Sequence, residues 1–362
     1  MDLTLVAFAF EVLRIGPRSK LVLLEAPALL PAHVPPTPPD ADMLLIGIHS
    51  RELASHLKAV LLSVYPAAHV VRFVRGSEVY ESTVQALDSS LLYSATTCLY
   101  VPPLGEGTAF ESFQEIVAHL RAPDGCPWDR EQTHVSLRAH LLEEAYEALA
   151  ALDEGDPRKM AEEFGDLLLQ IVLHAQIARE AGEFGMADIL KGIYDKIVRR
   201  HPHVFGDVDV DGVDGVLANW ERLKEKERGK KKDGKGLLDG VPLALPALIQ
   251  AQEYQDRAAR VGFDWPEIEG VLDKIVEEIE EVKQAADQEQ LASEIGDLLF
   301  ALVNLARWKK VDAESALRGT NARFKRRFGH VEAGAHRQGR SLGDLSLGEM
   351  EALWQEGKRG EK

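Results

Sequence analysis

Cysteine is almost absent: Cys98 and Cys126 are the only two in 362 residues. They stand far apart, without CxxC or Cys/His spacing, which argues against a disulfide framework or a structural zinc site and fits a reducing cytoplasm. Basic residues are outnumbered, 42 against 59 acidic, for a net charge of −17. A nucleic-acid coat needs the opposite sign. No run of eighteen apolar residues occurs, so no membrane span is predicted. The apolar opening MDLTLVAFAFEVLRIG carries Asp2 where a secretory signal would carry positive charge, and reads as a strand or short helix. What is present is a 45% hydrophobic fraction, enough for packed cores in two or three domains.

Residues 1–104 carry only −2 of the charge and differ in pattern from the rest. Apolar runs KLVLLEA, MLLIGI, HVVRFVR and TTCLYVPPL predict strands, and SRELASHLKAVLLSVYP between two of them predicts a helix. Together they predict a small α/β unit, closed by the linker VPPLGEGT. From Thr108 onward the pattern is helical. Thr108 with Glu111 and Ser346 with Glu349 each predict a capping box; Asp156 before Pro157 predicts an N-cap. A charged, glycine-punctuated stretch, KEKERGKKKDGKG, separates two helical halves.

The halves repeat. LLEEAYE (141–147) returns in EEIEEV (277–282), and EEFGDLLLQ (162–170) returns in SEIGDLLFA (293–301). Residues three apart share one helix face, so Glu144 and Glu147 project together, as do Glu163 and Asp166. The short turn LDEGDPRK makes these helices antiparallel neighbours, with Leu141, Leu142, Ala145 and Leu149 set to pack on Phe164, Leu167, Leu168 and Ile171. Four carboxylates then converge. Glu278, Glu281, Glu294 and Asp297 repeat the arrangement 131–134 residues later. Uncompensated, such groups repel or protonate. An oxygen-only donor set points to Mg²⁺, with Mn²⁺ as substitute. Solvated helix faces are the plain alternative for one such hairpin; the repetition weighs against it. His174, two turns beyond Asp166, is expected to be a packed histidine.

Basic residues follow each acidic hairpin. Lys196 and Arg200 lie four apart, as do Arg323 and Arg327; Lys224 and Lys358 follow Trp220 and Trp354 by four. They suit a polyphosphate held on a divalent ion, or they pair with surface acids. The tryptophans suit base stacking or core packing equally.

Residues 108–360 resemble the MazG family of nucleoside triphosphate pyrophosphohydrolases, on GCPWDREQTH, LLEEAYE, EEFGDLLLQIVLHAQ, RRHPHVFGD, LPALIQAQEYQDRAARVGFDW, EEIEEV and EIGDLLFALVNLAR. The resemblance implies a mainly α fold: two tandem all-α MazG-type helical bundles, over 108–228 and 244–360, joined by a linker at 229–243. It also implies Mg²⁺-dependent hydrolysis of NTPs and dNTPs to monophosphate and pyrophosphate, by a homodimer. A nucleotide- and metal-binding regulator without turnover is the alternative. Metal ligands fall on Glu144, Glu147, Glu163 and Asp166, and on Glu278, Glu281, Glu294 and Asp297. Phosphate and nucleoside contacts fall on Arg323, Arg327, Trp354 and Lys358, with Lys196, Arg200, Trp220 and Lys224 as first-copy counterparts. Arg323 stands where the family has lysine. Glu277 and Glu143 are candidates for orienting the attacking water. Residues 1–104 resemble a truncated tetrapyrrole-methylase-like segment. Gly16 and Gly47 are its first glycines, so the glycine-rich loop for S-adenosylmethionine is missing and that cofactor is not expected.

Overall fold

The computed structural model describes residues 3–14, 20–89, 93–213, 215–216, 219–220, 222–223 and 236–360. The chain divides into two units, Met1–Lys196 and Ile197–Lys362. Among the described residues no helix is long and apolar enough to cross a membrane.

The first unit opens with helix α1 (Leu3–Leu13), which settles the strand-or-helix alternative. Five strands follow: β1 (Leu21–Glu25), β2 (Asp42–Ile46), β3 (Val70–Arg75), β4 (Glu78–Thr83) and β5 (Cys98–Val101). Their order in the sheet is β1-β2-β5-β3-β4, with β1 parallel to β2 and every other pair antiparallel. Central strands β2 and β5 are buried on both faces, which explains their unbroken apolar runs. Helix α2 (Arg51–Leu62) contributes Leu53, Leu57, Val60 and Leu61 to one face of the sheet, whereas Val6, Ala9 and Leu13 of α1 cover the other. Cys98 sits in that second layer, and burial pushes its thiol up to about 11, as suits an inert core cysteine. Strand β4 has no apolar signature. It is an exposed edge, paired only through β3, so nothing selected for alternation.

The helical part begins at α3 (Phe110–Leu120), not at a capping box. Gly105 and Gly107 take positive φ (133° and 79°), and the chain turns so that the Thr108 hydroxyl donates to the Gly105 carbonyl (2.8 Å). Ala109 becomes an N-cap with no side-chain bond. Asp40 ties this start to the sheet, accepting from Lys20 (2.6 Å) and from the Ser112 hydroxyl.

Short helix α4 (Pro127–Glu131) precedes the first acidic pair, α5 (Arg138–Glu154) and α6 (Pro157–Glu180). Gly155 turns left-handed at φ 70° to end α5, and the Asp156 carboxylate accepts from Arg158 N (2.9 Å) to open α6, as expected. Helices α7 (Met186–Arg200) and α8 (Pro202–Phe205) follow.

In the second unit the second acidic pair is α10 (Ile268–Gln284) and α11 (Gln288–Trp308), and α9 (Ala247–Arg260) packs on α11. Helix α12 (Ala313–Arg337) carries the basic residues and α13 (Leu347–Arg359) the tryptophan. The Ser346–Glu349 capping box is present in full. Gly334 on α12 lets α13 approach closely: a Cβ there would meet Leu353 at 2.6 Å.

One packing expectation is corrected. Leu142, Leu149, Phe164, Leu168 and Ile171 are exposed rather than buried between α5 and α6. The buried positions are smaller or fall elsewhere: Ala148 and Ala151 on α5, Val172, Leu173, Ala175 and Ala178 on α6. The large apolar side chains occupy an outer stripe of their own.

Candidate metal centres

Both acidic pairs bring carboxylates together. In the first, ligand oxygens of Glu144, Glu163 and Asp166 all lie within 4.8 Å of one another; in the second, those of Glu278, Glu281 and Glu294 do. The fourth expected member is peripheral each time, and it differs between copies. Glu147 stands outside the first triad but repels it, and Asp297 stands outside the second, on the wall of an adjoining cavity.

The electrostatic cost is visible. Partial desolvation, then Asp166, Glu147, Glu143 and Glu163, raise the Glu144 carboxyl above its usual range. Glu163 is raised by desolvation and then by Glu147, Glu162 and Asp166, against Lys159. Glu281 is raised by desolvation and then by Glu278, with Lys274 opposing. In addition, Glu278 is only 4% exposed and its Oε2 has no hydrogen-bond partner among the described residues. Oxygen-only donors, mutual repulsion and an orphaned buried carboxylate oxygen together fit a hard divalent cation.

Lys274 is the group that sequence reading passed over. Its Nζ lies 2.7 Å from Glu278 Oε1 and 3.0 Å from Glu277 Oε1, and these two bonds, Glu278 first, raise its own pKa. The i,i+3 and i,i+4 spacing of KIVEE was the available signal. The corresponding position in the first copy, 134 residues earlier, is His140, whose Nδ1 lies 3.7 Å from Glu143. The two copies are therefore not electrostatic equivalents.

Of the expected phosphate contacts, Arg323 and Arg327 lie on α12 and exposed Lys358 on α13. Arg323 donates to Thr320 Oγ1 (2.8 Å). Trp354 packs beside Phe324 (5.1 Å between ring centroids), with the Arg327 guanidinium 5.9 Å from its ring. The first copy repeats the motif, with Arg200 5.8 Å from the Trp220 ring; Lys196 is exposed on α7. Each tryptophan thus has an arginine partner, an arrangement neither expected role included. Lys224 lies outside the described residues. His174 is packed, as expected: its Nδ1 is 2.7 Å from that of His134, and burial, then His134, lower its pKa.

A cavity of about 600 Å³ opens beside the second triad. Lys274, Glu278 and Asp297 stand at its acidic end, and Tyr254, Phe263, Trp265 and Phe300 contribute aromatic wall.

Comparison with known proteins is decisive. The model of the MazG nucleotide pyrophosphohydrolase domain matches twice, at residues 132–205 and 267–332. The nucleoside triphosphate pyrophosphohydrolase/pyrophosphatase MazG of Thermotoga maritima is 44% identical over 256 residues, 71% of this chain and 98% of that protein. The Escherichia coli K12 nucleoside triphosphate pyrophosphohydrolase is 46% identical over 252 residues, 68% of this chain and 95% of that one. The chain belongs to the MazG family. It is therefore a hydrolase with two MazG domain matches, and each match contains one whole carboxylate set. Arg323 and Arg327 fall inside the second match, whereas Trp220, Trp354 and Lys358 lie beyond the matched segments. The uncharacterized protein YabN of Bacillus subtilis is 40% identical over 333 residues, 88% of this chain and 68% of YabN. A match of that length extends into the α/β segment as well.

Proposed function

We propose that this MazG protein hydrolyses NTPs and dNTPs between the α and β phosphates, releasing the monophosphate and pyrophosphate with Mg²⁺, or Mn²⁺ in its place. The supporting observation is the twice-built carboxylate triad whose members repel one another and whose Glu278 Oε2 is buried without a hydrogen-bond partner among the described residues. In the second copy Glu278, Glu281, Glu294 and Asp297 would hold the ion; in the first, Glu144, Glu147, Glu163 and Asp166 would. Bound there, the ion supplies neutralising charge and polarises phosphate oxygens.

The chain's own groups do the rest. Arg323, Arg327 and Lys358 grip non-bridging phosphate oxygens, the guanidinium forks two at a time, and stabilise the leaving pyrophosphate. Lys196, Arg200 and Lys224 have that role in the first copy. Trp354, braced by Phe324 and Arg327, and Trp220, beside Arg200, flank the substrate. Glu277 and Glu143 orient the attacking water and accept its proton at a carboxylate oxygen; Lys274, 3.0 Å away, fixes the direction of Glu277.

The exposed apolar stripe of α5 and α6, with Leu142 57% and Phe164 47% exposed, supports a homodimer in which a second copy covers it. The two unpaired cysteines support a cytoplasmic setting. We assign the α/β segment as a partial tetrapyrrole-methylase-like domain without S-adenosylmethionine.

The test is a panel of NTPs and dNTPs incubated with Mg²⁺, with pyrophosphate and single-phosphate release measured separately. Pyrophosphate release that disappears in Glu281→Gln and Glu294→Gln supports the assignment. Unchanged nucleotide, or release of single phosphates, sinks it.

A further inference from the structure

The first acidic pair is closed at its two ends by different means. At one end Gly155 and Asp156 turn α5 into α6; at the other, where α5 begins and α6 nears its end, two imidazoles meet. His134, in the loop 133–137 that leads into α5, presents Nδ1 to the Nδ1 of His174 on α6 at 2.7 Å, with the rings 5° from parallel and their centroids 5.0 Å apart. Within the loop Thr133 and Ser136 bond to one another (2.9 and 3.1 Å), Val135 is 73% exposed, and Leu137 enters the core.

A nitrogen–nitrogen bond of this kind holds a single proton. Between two neutral rings one Nδ1 donates and the other accepts; with both Nδ1 atoms protonated, two N–H groups would face each other and the pair has to part. The intact pair also takes up its first proton at a cost. Its singly protonated form carries N–H on both outer nitrogens, and the outer nitrogen of His174, Nε2, is buried without a partner among the described residues. Accordingly burial, then His134, lower the His174 pKa. Glu115 and His119 on α3, His140 and Glu144 on α5 and Asp188 on α7 lie on the elements packed around α6, and none of them enters that balance.

An acceptor for that N–H stands one helical turn away. Gln170, 6% exposed, shares a face of α6 with His174, and its Oε1 is likewise buried without a partner among the described residues. His174 thus has two arrangements: neutral and bonded through Nδ1 to His134, or protonated, with Nε2–H turned to Gln170 Oε1 and His134 released. The second arrangement uses both unmet atoms. The second copy has no such choice. Ile268, Leu305 and Ala301 hold the positions of His134, His174 and Gln170, at the offsets that relate the carboxylates.

We infer that the His134–His174 pair is an acid-opened clasp on the first carboxylate set: it fixes the start of α5 against α6, and protonation passes His174 to Gln170, frees the loop 133–137 and weakens metal binding at Glu144, Glu163 and Asp166. His134, His174 and Gln170 are positioning residues, acting through the two helices that carry those carboxylates. The sign follows from the lowered pKa of His174: the clasp is whole above about pH 6.5 and is lost as pH falls below it. The inference rests on the metal assignment proposed above for the first set.

The experiment separates the two readings. The full chain carrying Glu281→Gln and Glu294→Gln, in which only the first set is intact, is titrated with Mn²⁺ from about pH 7.5 to about pH 5.5, the free ion being counted by electron paramagnetic resonance. Because the carboxylates take up protons of their own, each profile is compared with that of the same chain carrying His134→Ile and His174→Leu, the residues of the second copy. Affinity is expected to fall about tenfold further with the pair than without it. Gln170→Ala is expected to move the fall to lower pH, since protonated His174 then lacks its acceptor. Parallel profiles with and without the pair overturn the clasp. A nitrogen NMR spectrum of the imidazoles in which the proton shared by His134 and His174 persists at the acid end also overturns it. That spectrum is recorded on the metal-free wild type, so it decides the matter even where the double histidine variant does not fold. Opening of the pair in the spectrum, with no Mn²⁺ bound at any pH, supports the acid opening and removes the metal assignment of the first set instead.

Discussion

Lys274 Nζ lies 2.7 Å from Glu278 Oε1, and the other oxygen of that carboxylate has no hydrogen-bond partner among the described residues. A buried carboxylate is thus half neutralised by the protein and half left for a ligand. Replacing Lys274 with Met should expose the whole imbalance, at a cost of about 1–3 kcal/mol, reduced from the value for a fully buried pair because the lysine is partly exposed. Chemical denaturation with and without Mg²⁺ checks it. The loss should shrink when the ion is added, and a loss indifferent to Mg²⁺ would show that Glu278 is not a ligand.

Removing a ligand carboxylate from the second triad should be far more damaging than removing a neighbour. Glu294→Gln is expected to lower kcat by at least about 100-fold, on the scale seen when one electrostatic stabiliser is removed. Glu163→Gln, its first-copy counterpart, measures how much of the total turnover belongs to that copy. Pyrophosphate release by each single variant reports the two sites separately.

Stability should depend on pH in a direction set by the raised carboxyls of Glu144, Glu163 and Glu281. The folded state binds these protons more tightly than the unfolded chain, so the contribution of these groups falls as pH rises through about 4.5 and beyond. Mg²⁺ relieves the repulsion only when the groups are ionised. The rise in Tm on adding Mg²⁺ should therefore be near zero at pH 4 and grow toward pH 8. A rise that is the same at both ends would contradict the clustering.

Helix α13 depends on its cap. Ser346→Ala should cost about 1 kcal/mol, measured by urea denaturation. Glu349 carries the opposite sign of pH effect. Bonds from Arg340, then from Ser346, lower its carboxyl to about 2, so its contribution is present in full above about 4.5 and is lost as pH falls from there through about 2.

The apolar stripe offers a test of assembly. Glutamate in place of Phe164, 47% exposed on α6, should shift a dimer toward monomer in sedimentation velocity while leaving the helical circular dichroism intact. A wild-type chain that sediments as a monomer would remove the homodimer proposal.

Periodicity and capping chemistry revealed the helices that carry the triads and the tryptophan helix α13, because Asp156, Ser346 and the glutamates act within a few residues of their partners. The same local signals misplaced the start of α3, where two glycines turned Thr108 back onto its own loop. Strand β4 left no trace because an edge strand facing solvent needs no apolar alternation. Arg307 of α11 donates to Asp264, in the turn before α10 and 43 residues away in sequence, and only tertiary packing brings the two together. The exposure of Leu142 and Ile171 was hidden for a related reason: an apolar stripe shows that something is to be covered, but not by which chain.

Gly270 belongs to none of the sets of groups expected to touch substrate, yet the indole of Trp265 rests where its side chain would be. A single methyl at that position would tilt the ring and narrow the chamber before any contacting residue had changed. Mutational drift in ligand preference can thus begin behind the wall, at a locus that a survey confined to contacting side chains would overlook.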